Sequence, residues 1–427
     1  MKKKDLDDLI NEVEQENRFF KNKAAFDSVR PPEHIVGRRE QAKQLLQFLH
    51  ASQNIIVPFV SVYGRSGSGK STLVKFVCDN LTNISYCFVN LRNAKTIFGC
   101  ANLILAELGK ANLKSAQGLN FAMTQIAESI ISRLNEQKKK IFVLVLDEFD
   151  MIFYDERNNP SDFVYKLVVL GESLKKKNYL MCIVGISNNV ISEYALDDRV
   201  KSRIGNSEVF FPSYTQDEAF AILRTLAREA FTKPVDEDIL QYCATLGSQE
   251  HGDARRVIDL LRVGAEIASS NREKLDKSHI DLASTRLQND RIQDVLTKNS
   301  AHFSLVCGSI AYLTFVQNRD WISTSEIYDK YKAIIPSSLN PLTYRRISGI
   351  LIDIKNTGLT HSKTRSSGRN GYGTQYKLLF PPEMIGVAID KKWWQKVEEL
   401  KNQENEDAGL NKDAKQLRKL LGEIRNL

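Results

Sequence analysis

The sequence lacks any long apolar run. Its strongest apolar stretches, such as 141–146 and 179–184, fall far short of the roughly 20 residues needed to cross a bilayer. Paired cysteines are lacking too. Cys78, Cys87, Cys100, Cys182, Cys243 and Cys307 form no C-x-x-C pair, and no histidine stands at metal-ligand spacing from them. That excludes a structural metal or a secreted disulfide scaffold and leaves reduced thiols, mostly filling a core. The opening residues, Met1-Lys2-Lys3-Lys4-Asp5-Leu6-Asp7-Asp8, carry acids where a secretory signal needs an apolar block. Internal repeats are absent. What is there is the mix of a soluble globular protein: 42% apolar and 26% charged residues, neither disordered, collagenous nor coiled-coil. The 427 residues suggest about three domains at roughly 150 residues each. With 60 basic and 52 acidic residues the formal charge is +8, and that mild excess permits a polyanionic partner.

Residues 1–28 read as a charged helical extension ending at Arg30-Pro31-Pro32. From Ile35 to Pro212, short apolar strands alternate with helical patterns. Strands are expected at 59–63, 86–89, 142–146, 179–184 and 209–211, with helices such as 71–80 and 120–136 between them. This alternation predicts a parallel sheet covered on both faces. After Pro212 only helices follow, at 217–231, 235–246, 253–269 and 279–297. A third unit has helices at 303–316, 323–334 and 341–355. Two strands come next, near 359–363 and 375–379, joined by a segment that includes Gly368, Gly371 and Gly373. The domain expectation is therefore 1–28, 29–212, 213–298, 299–390 and a charged helical tail, 391–427. Trp393 and Trp394 before that tail suggest docking on a core, or else partner binding.

Gly64-Arg65-Ser66-Gly67-Ser68-Gly69-Lys70-Ser71 fits G-x-x-x-x-G-K-[ST] in full. It follows an expected strand and opens an expected helix, with Thr72 next. Glycines let backbone N–H groups curl toward phosphate oxygens, and the helix N-terminus favours an anion. Lys70 reaches the β and γ phosphates, and the Ser71 hydroxyl can ligate Mg²⁺. About 80 residues on, an apolar strand delivers Asp147-Glu148: Asp147 for the Mg²⁺ shell, Glu148 to polarise a water. Asn188 closes the next strand. Its amide could orient that water; an Asx turn is the alternative.

Together these residues resemble the AAA+ ATPases, and more narrowly the archaeal origin-recognition and helicase-loading initiators. Residues 146–150, Leu-Asp-Glu-Phe-Asp, look like that family's Walker B segment. The resemblance puts sensor 1 on Asn188, an arginine finger on Arg203 in the loop after it, sensor 2 on Arg255, and Ile35 and Val36 in the adenine pocket. For Arg203 an intramolecular ion pair is the competing reading. The implied fold is an α/β P-loop AAA+ base with a parallel sheet, an all-α lid and a C-terminal winged-helix domain. Residues 101–120 stand where the family has a DNA-contacting insertion. Lys110 and Lys114 are the basic residues there, and no site is assigned to them.

The third unit reads as a winged helix on its own pattern. From Pro341 to Phe380 the bases are Arg345, Arg346, Lys355, Lys363, Arg365, Arg369 and Lys377 against Asp353 alone, a surplus suited to phosphates. Thr343, Tyr344, Arg345 and Arg346 open the third helix, whose buried stripe is Ile347, Ile350, Leu351 and Ile354. Lys363, Arg365 and Arg369 lie on the wing. Thr343 to Arg346, with these wing bases, are the candidate DNA contacts. A solubilising basic hairpin is the alternative. Tyr372 fits a wing-tip contact or hairpin packing equally.

The expected function is ATP-dependent replication initiation. The chain would bind ATP/ADP and Mg²⁺ and hydrolyse ATP slowly as a switch. It would hold duplex origin DNA and, by family similarity, recruit or load the replicative helicase. Paralogous initiators or self-association are further expected partners; a membrane is not. The expected location is cytoplasmic and nucleoid-associated. Competing readings are a winged-helix transcription or signalling regulator with the same P-loop, and a non-hydrolysing interaction module, against which Glu148 argues.

Overall fold

The computed structural model describes residues 19–27, 35–49, 57–94, 96–155, 157–249, 252–366 and 372–404. The side chains of residues 249, 365, 366, 372, 403 and 404 lie outside the description. So do residues 1–18 of the helical extension expected over 1–28, the tail beyond 404, and the wing tip with Gly368, Arg369 and Gly371. Of that extension, residues 19–27 are helical only in a short 3-10 turn, Lys23–Phe26.

The first unit runs to Asp281. Its elements begin with α1 (Arg39–Leu49), β1 (Phe59–Gly64), α2 (Lys70–Asn80), β2 (Ile84–Asn90), α3 (Ile97–Glu107) and α4 (Gly118–Glu136). They continue with β3 (Ile141–Asp147), α5 (Pro160–Lys175), β4 (Leu180–Ser187), α6 (Asp198–Ile204) and β5 (Glu208–Phe211). The five strands pair in parallel in the order β2-β3-β4-β1-β5. Alternation along each strand feeds two cores. Phe142, Leu144 and Leu146 join α3, α4 and α5 on one face. Val143 and Val145 join Leu45, Leu49, Leu73 and Val74 of α1 and α2 on the other. Burial on both faces explains why β3 reads as an unbroken apolar run. Helix starts are locally encoded: the Thr96 side chain accepts from the Gly99 N–H, and Asn159 caps α5 with Pro160 in its first turn.

Four helices follow: α7 (Gln216–Ala230), α8 (Glu237–Gln249), α9 (Ala254–Asn271) and α10 (Lys277–Lys298). Thr215 and Glu218 form a capping box on α7. Residues 19–27 pack on this helical layer. Phe20 stacks on Phe231 at 5.2 Å between ring centroids, Phe26 meets Phe231 edge-on at 5.6 Å, and Lys23 pairs with Glu266 at 2.8 Å.

The second unit starts within α10, at Leu282. It holds α11 (Ala301–Gln317), β6 (Ile322–Ser323), α12 (Thr324–Ile334), α13 (Tyr344–Asn356), β7 (Thr360–Ser366), β8 (Tyr372–Leu378), α14 (Pro382–Ile389) and α15 (Lys391–Glu404). The antiparallel order β6-β8-β7 completes a winged helix. Trp393 and Trp394 are buried in its core beside Val306, Ile310 and Ile385, so α15 docks there. All six cysteines are buried and free. Among the described residues, no helix is long and apolar enough to cross a membrane.

Several local expectations shift. The third helix of this unit starts at Tyr344 rather than 341, because Thr343 caps it and its side chain accepts from the Arg346 N–H. Ser323, expected inside a helix, caps α12 and pairs with Gln375. The wing strands are longer than expected, and β6 and α14 carry too short a pattern to be read beforehand. Arg203 lies on a helix, α6, rather than on a loop.

Two glycines test this packing. A Cβ at Gly386 would sit 1.9 Å from Trp394, whereas one at Gly349 meets nothing within 4 Å. Gly386→Ala is expected to cost about 1–3 kcal/mol through overpacking, and Gly349→Ala to gain about 0.5–1 kcal/mol from helix propensity. Urea denaturation of the full chain checks both.

Candidate nucleotide site and nucleic-acid face

The parallel register brings the carboxyl ends of the strands to one sheet edge. Asn90 pairs with Asp147, Tyr63 with Ser187, and Gly64 with Phe211. The loop from Gly64 to Gly69 leaves β1 there and enters α2 without a break. Gly67 and Gly69 take φ of +74° and +86°, a region that glycine enters at little cost and that residues with side chains rarely adopt. At Gly67 the need is also spatial, since a Cβ would lie 1.8 Å from the Asp253 carboxylate.

Lys70 is 8% exposed, and its Nζ donates to the Gly64 and Arg65 carbonyls at 2.6 and 2.8 Å. Burial pulls its pKa below the usual amine value, against the opposing pull of Asp147. The Ser71 hydroxyl donates to Asp147 Oδ1 at 3.0 Å, and the Glu148 N–H donates to the same oxygen at 3.0 Å. Asn90 Nδ2 donates to Asp147 Oδ2 at 3.3 Å. Burial raises the Asp147 pKa, and the Ser71 and Glu148 hydrogen bonds offset part of that rise. Glu148 sits at φ +55°, a left-handed conformation that a glutamate holds only under surrounding constraint. Burial, then Asp147 and Asp150, push its pKa up. Asn188 is exposed at the end of β4, with Nδ2 3.4 Å from Asp150 Oδ2.

Arg65 and Ser66 are exposed on the loop, Ser68 is buried, and Thr72 is half-buried in the first turn of α2. Ile35 packs partly against the α1–α2 core, and Val36 is half-buried beside it. Arg255 opens α9, and its charge is near enough to lower the pKa of both Lys70 and Asp147. Arg203 stands apart from this cluster. It is ion-paired with Glu172, and its guanidinium lies 5.1 Å from the Tyr165 ring centroid. Among the described residues, no group of three or more His, Cys, Asp or Glu gathers into a metal cage. The Ser71–Asp147 oxygens offer the hard, sparse donor set that suits Mg²⁺ completed by phosphate and water.

In the second unit, Tyr344, Arg345 and Arg346 are exposed at the capped start of α13, and Ile347, Ile350, Leu351 and Ile354 are its buried stripe. Tyr344 rests edge-on against Tyr328 at 5.3 Å. Lys363 Nζ lies 4.0 Å from the Trp321 ring centroid. Lys377 is tied to Asp320 at 2.6 Å, so it adds less to the positive surplus than its position in the sequence suggests. Arg365 is placed by its backbone alone, opposite Gly373.

Three stretches match described families: residues 36–242 an ATPase domain predominantly from Archaea, 220–285 a Cdc6 AAA+ ATPase-type lid, and 294–388 a Cdc6 C-terminal winged helix. The ORC1-type DNA replication protein of Desulfurococcus amylolyticus is 30% identical over 397 residues, covering 90% of this chain and 97% of that one. The ORC1-type DNA replication protein 1 of Aeropyrum pernix is 32% identical over 328 residues, covering 74% and 80%. The structure of the Aeropyrum pernix ORC1 protein in complex with DNA is similar at a TM-score of 0.72 and 28% identity, covering 89% of this chain and 98% of that one.

The chain belongs to the ORC1-type DNA replication proteins. It is thereby an AAA+ ATPase with a Cdc6-type lid and winged helix, of the class that acts in replication initiation and origin recognition. Sequence reasoning missed Asn90, and it gave Asp150 of the 146–150 segment and Asp253 at the start of the Arg255 helix no role of their own at the site. Asn90 closes an apolar run just as Asp147 does, but only the strand register shows that the two meet. Asp253 joins helix start to loop: it caps α9, accepting from the Arg255 N–H at 2.9 Å, and the Ala254 N–H donates to the Gly67 carbonyl at 3.3 Å. Asp253→Ala should cost about 1 kcal/mol through the lost cap, while Asp253→Asn should retain most of it; urea denaturation distinguishes them.

Proposed function

We propose that this chain binds ATP between its base and lid, hydrolyses it slowly as a switch, and holds duplex origin DNA with its winged helix. In this reading it helps recruit or load the replicative helicase. The observation that carries the nucleotide half is the Lys70–Ser71–Asp147–Asn90 cluster beneath the glycine loop, with Glu148 beside it. The loop N–H groups and Lys70 bind the phosphates, and Arg255 adds a cation from the lid. A Mg²⁺ held through Ser71 and Asp147 would neutralise phosphate charge. Glu148, its proton affinity raised by burial and two neighbouring carboxylates, takes the proton from the attacking water. Asn188, steadied by Asp150, orients that water. Ile35 and Val36 border the base. Arg203 would act on a neighbouring subunit's site only after its Glu172 pair opens, and a lone chain, lacking a neighbour's arginine, would turn over slowly.

The exposed Tyr344, Arg345 and Arg346 face, with Thr343 and Lys363, supports DNA binding, and on the sequence reading the wing arginines Arg365 and Arg369 would extend it. Among the described residues, Arg345, Arg346 and Lys363 meet no acidic side chain within salt-bridge distance, so their charge is available to phosphates.

Turnover and nucleotide retention separate the assigned roles. Lys70→Ala should lose nucleotide, whereas Glu148→Gln should keep it and lose turnover by about 10²-fold or more. Indistinguishable turnover in wild type and both variants would contradict the catalytic assignment. For DNA, duplex affinity is measured against salt. Arg345→Ala and Arg346→Ala should each weaken binding and reduce the salt slope by about one. Unchanged slopes would remove α13 from the interface.

A further inference from the structure

Arg38 is more deeply buried than Lys70 or Asp147, at 2% exposed, yet the chemistry above makes no use of it. Its backbone is fixed just before α1, where its carbonyl accepts from the Ala42 N–H at 2.9 Å. Its guanidinium is fixed on every side. Nε donates to the Ser68 carbonyl at 3.1 Å and Nη2 to the Pro212 carbonyl at 2.8 Å. The guanidinium carbon lies 3.8 Å from the Tyr214 ring centroid, and Nη1 is 4.0 Å from Glu218 Oε1 on α7. A buried cation is costly unless its hydrogen bonds are met. The planar guanidinium fork suits two carbonyls and a ring face at once, which an ammonium does not.

The Ser68 carbonyl is the informative partner. The Ser68–Gly69 peptide is trans, so its C=O and N–H point in opposite directions across one rigid plane. Holding the oxygen on the Arg38 side turns the Gly69 N–H the other way. That N–H has no acceptor among the described residues, as befits the residue at the open start of a helix. The Tyr214 hydroxyl limits rearrangement, since a Cβ on Gly69 would lie 2.3 Å from it.

We propose that Arg38 is a positioning residue for the phosphate cradle: it locks the Ser68–Gly69 peptide so that the Gly69 N–H is presented to a nucleotide phosphate. The assignment rests on the nucleotide reading above. The same guanidinium holds Pro212, where the chain leaves the base, and faces Glu218 on the lid. One side chain therefore ties the orientation of the cradle to the seating of the lid.

The test uses the full chain as wild type, Arg38→Lys and Arg38→Gln. Affinities for ADP, ATP and adenosine are measured, with urea denaturation of each nucleotide-free protein alongside. The expected result is ADP and ATP binding roughly tenfold weaker in both variants, the scale of one hydrogen bond to a charged group, with adenosine affinity unchanged. Arg38→Lys keeps the charge and decides the question if Arg38→Gln does not fold. Folded variants that bind ADP like wild type, or that lose ADP and adenosine in parallel, overturn the assignment while leaving the nucleotide site intact. Wild-type protein that binds neither ADP nor ATP overturns the nucleotide reading, and this assignment with it.

Discussion

Parallel pairing with matched strand ends governs the first unit. Because β1 to β5 all run the same way, their carboxyl ends share one edge, and whatever residue closes each apolar run is delivered there. Gly64, Asn90, Asp147 and Ser187 arrive together for that reason. The sheet pays nothing for them in its interior, where Phe142 to Leu146 are fully buried. At the edge their polar groups find one another: the two oxygens of Asp147 take hydrogen bonds from β2, from α2 and from the Glu148 backbone.

The cluster is electrostatically tense. Lys70, Asp147 and Glu148 are each moved away from their usual pKa chiefly by loss of water; Asp147 opposes the shift of Lys70, the Ser71 and Glu148 hydrogen bonds oppose that of Asp147, and Asp147 with Asp150 adds to that of Glu148. Perturbation of this kind gathers where chemistry is done. The helical layer adds to it from above: Asp253 lies against Gly67, Tyr214 over Gly69, and Arg255 near enough to be felt by Lys70. Arg203, by contrast, belongs to a separate ion pair on α5 and α6. The second unit solves a different problem. Its apolar residues, Trp393 and Trp394 included, are spent on one core, which leaves the start of α13 free to present cations outward from a rigid frame.

Much of this was legible in the chain. The glycine loop runs straight into Lys70 and Ser71, and the Asp147-Glu148 pair directly closes an apolar run, so a local pattern announces each. Strand and helix positions followed because apolar alternation and helical period are local signals. Thr343 blurred one boundary, since a cap looks like helix until its side chain is seen accepting the Arg346 N–H. The two-residue β6 and the short α14 carry too few residues to show any period. Lys377 counted as surplus charge until Asp320, 57 positions away, proved to be its partner.

By itself, then, the sequence determined the family, the order of base, lid and winged helix, and the glycine loop between the first strand and its helix. Each of these depends on residues near one another along the chain. Tertiary structure alone decided that Asn90 meets Asp147, that Asp150 meets Asn188, and that Arg38 reaches both Ser68 and Pro212, the last 174 positions away. Such contacts depend on strand register and on where a folded helical layer comes to rest. Those are set by packing across the whole unit rather than by any local pattern.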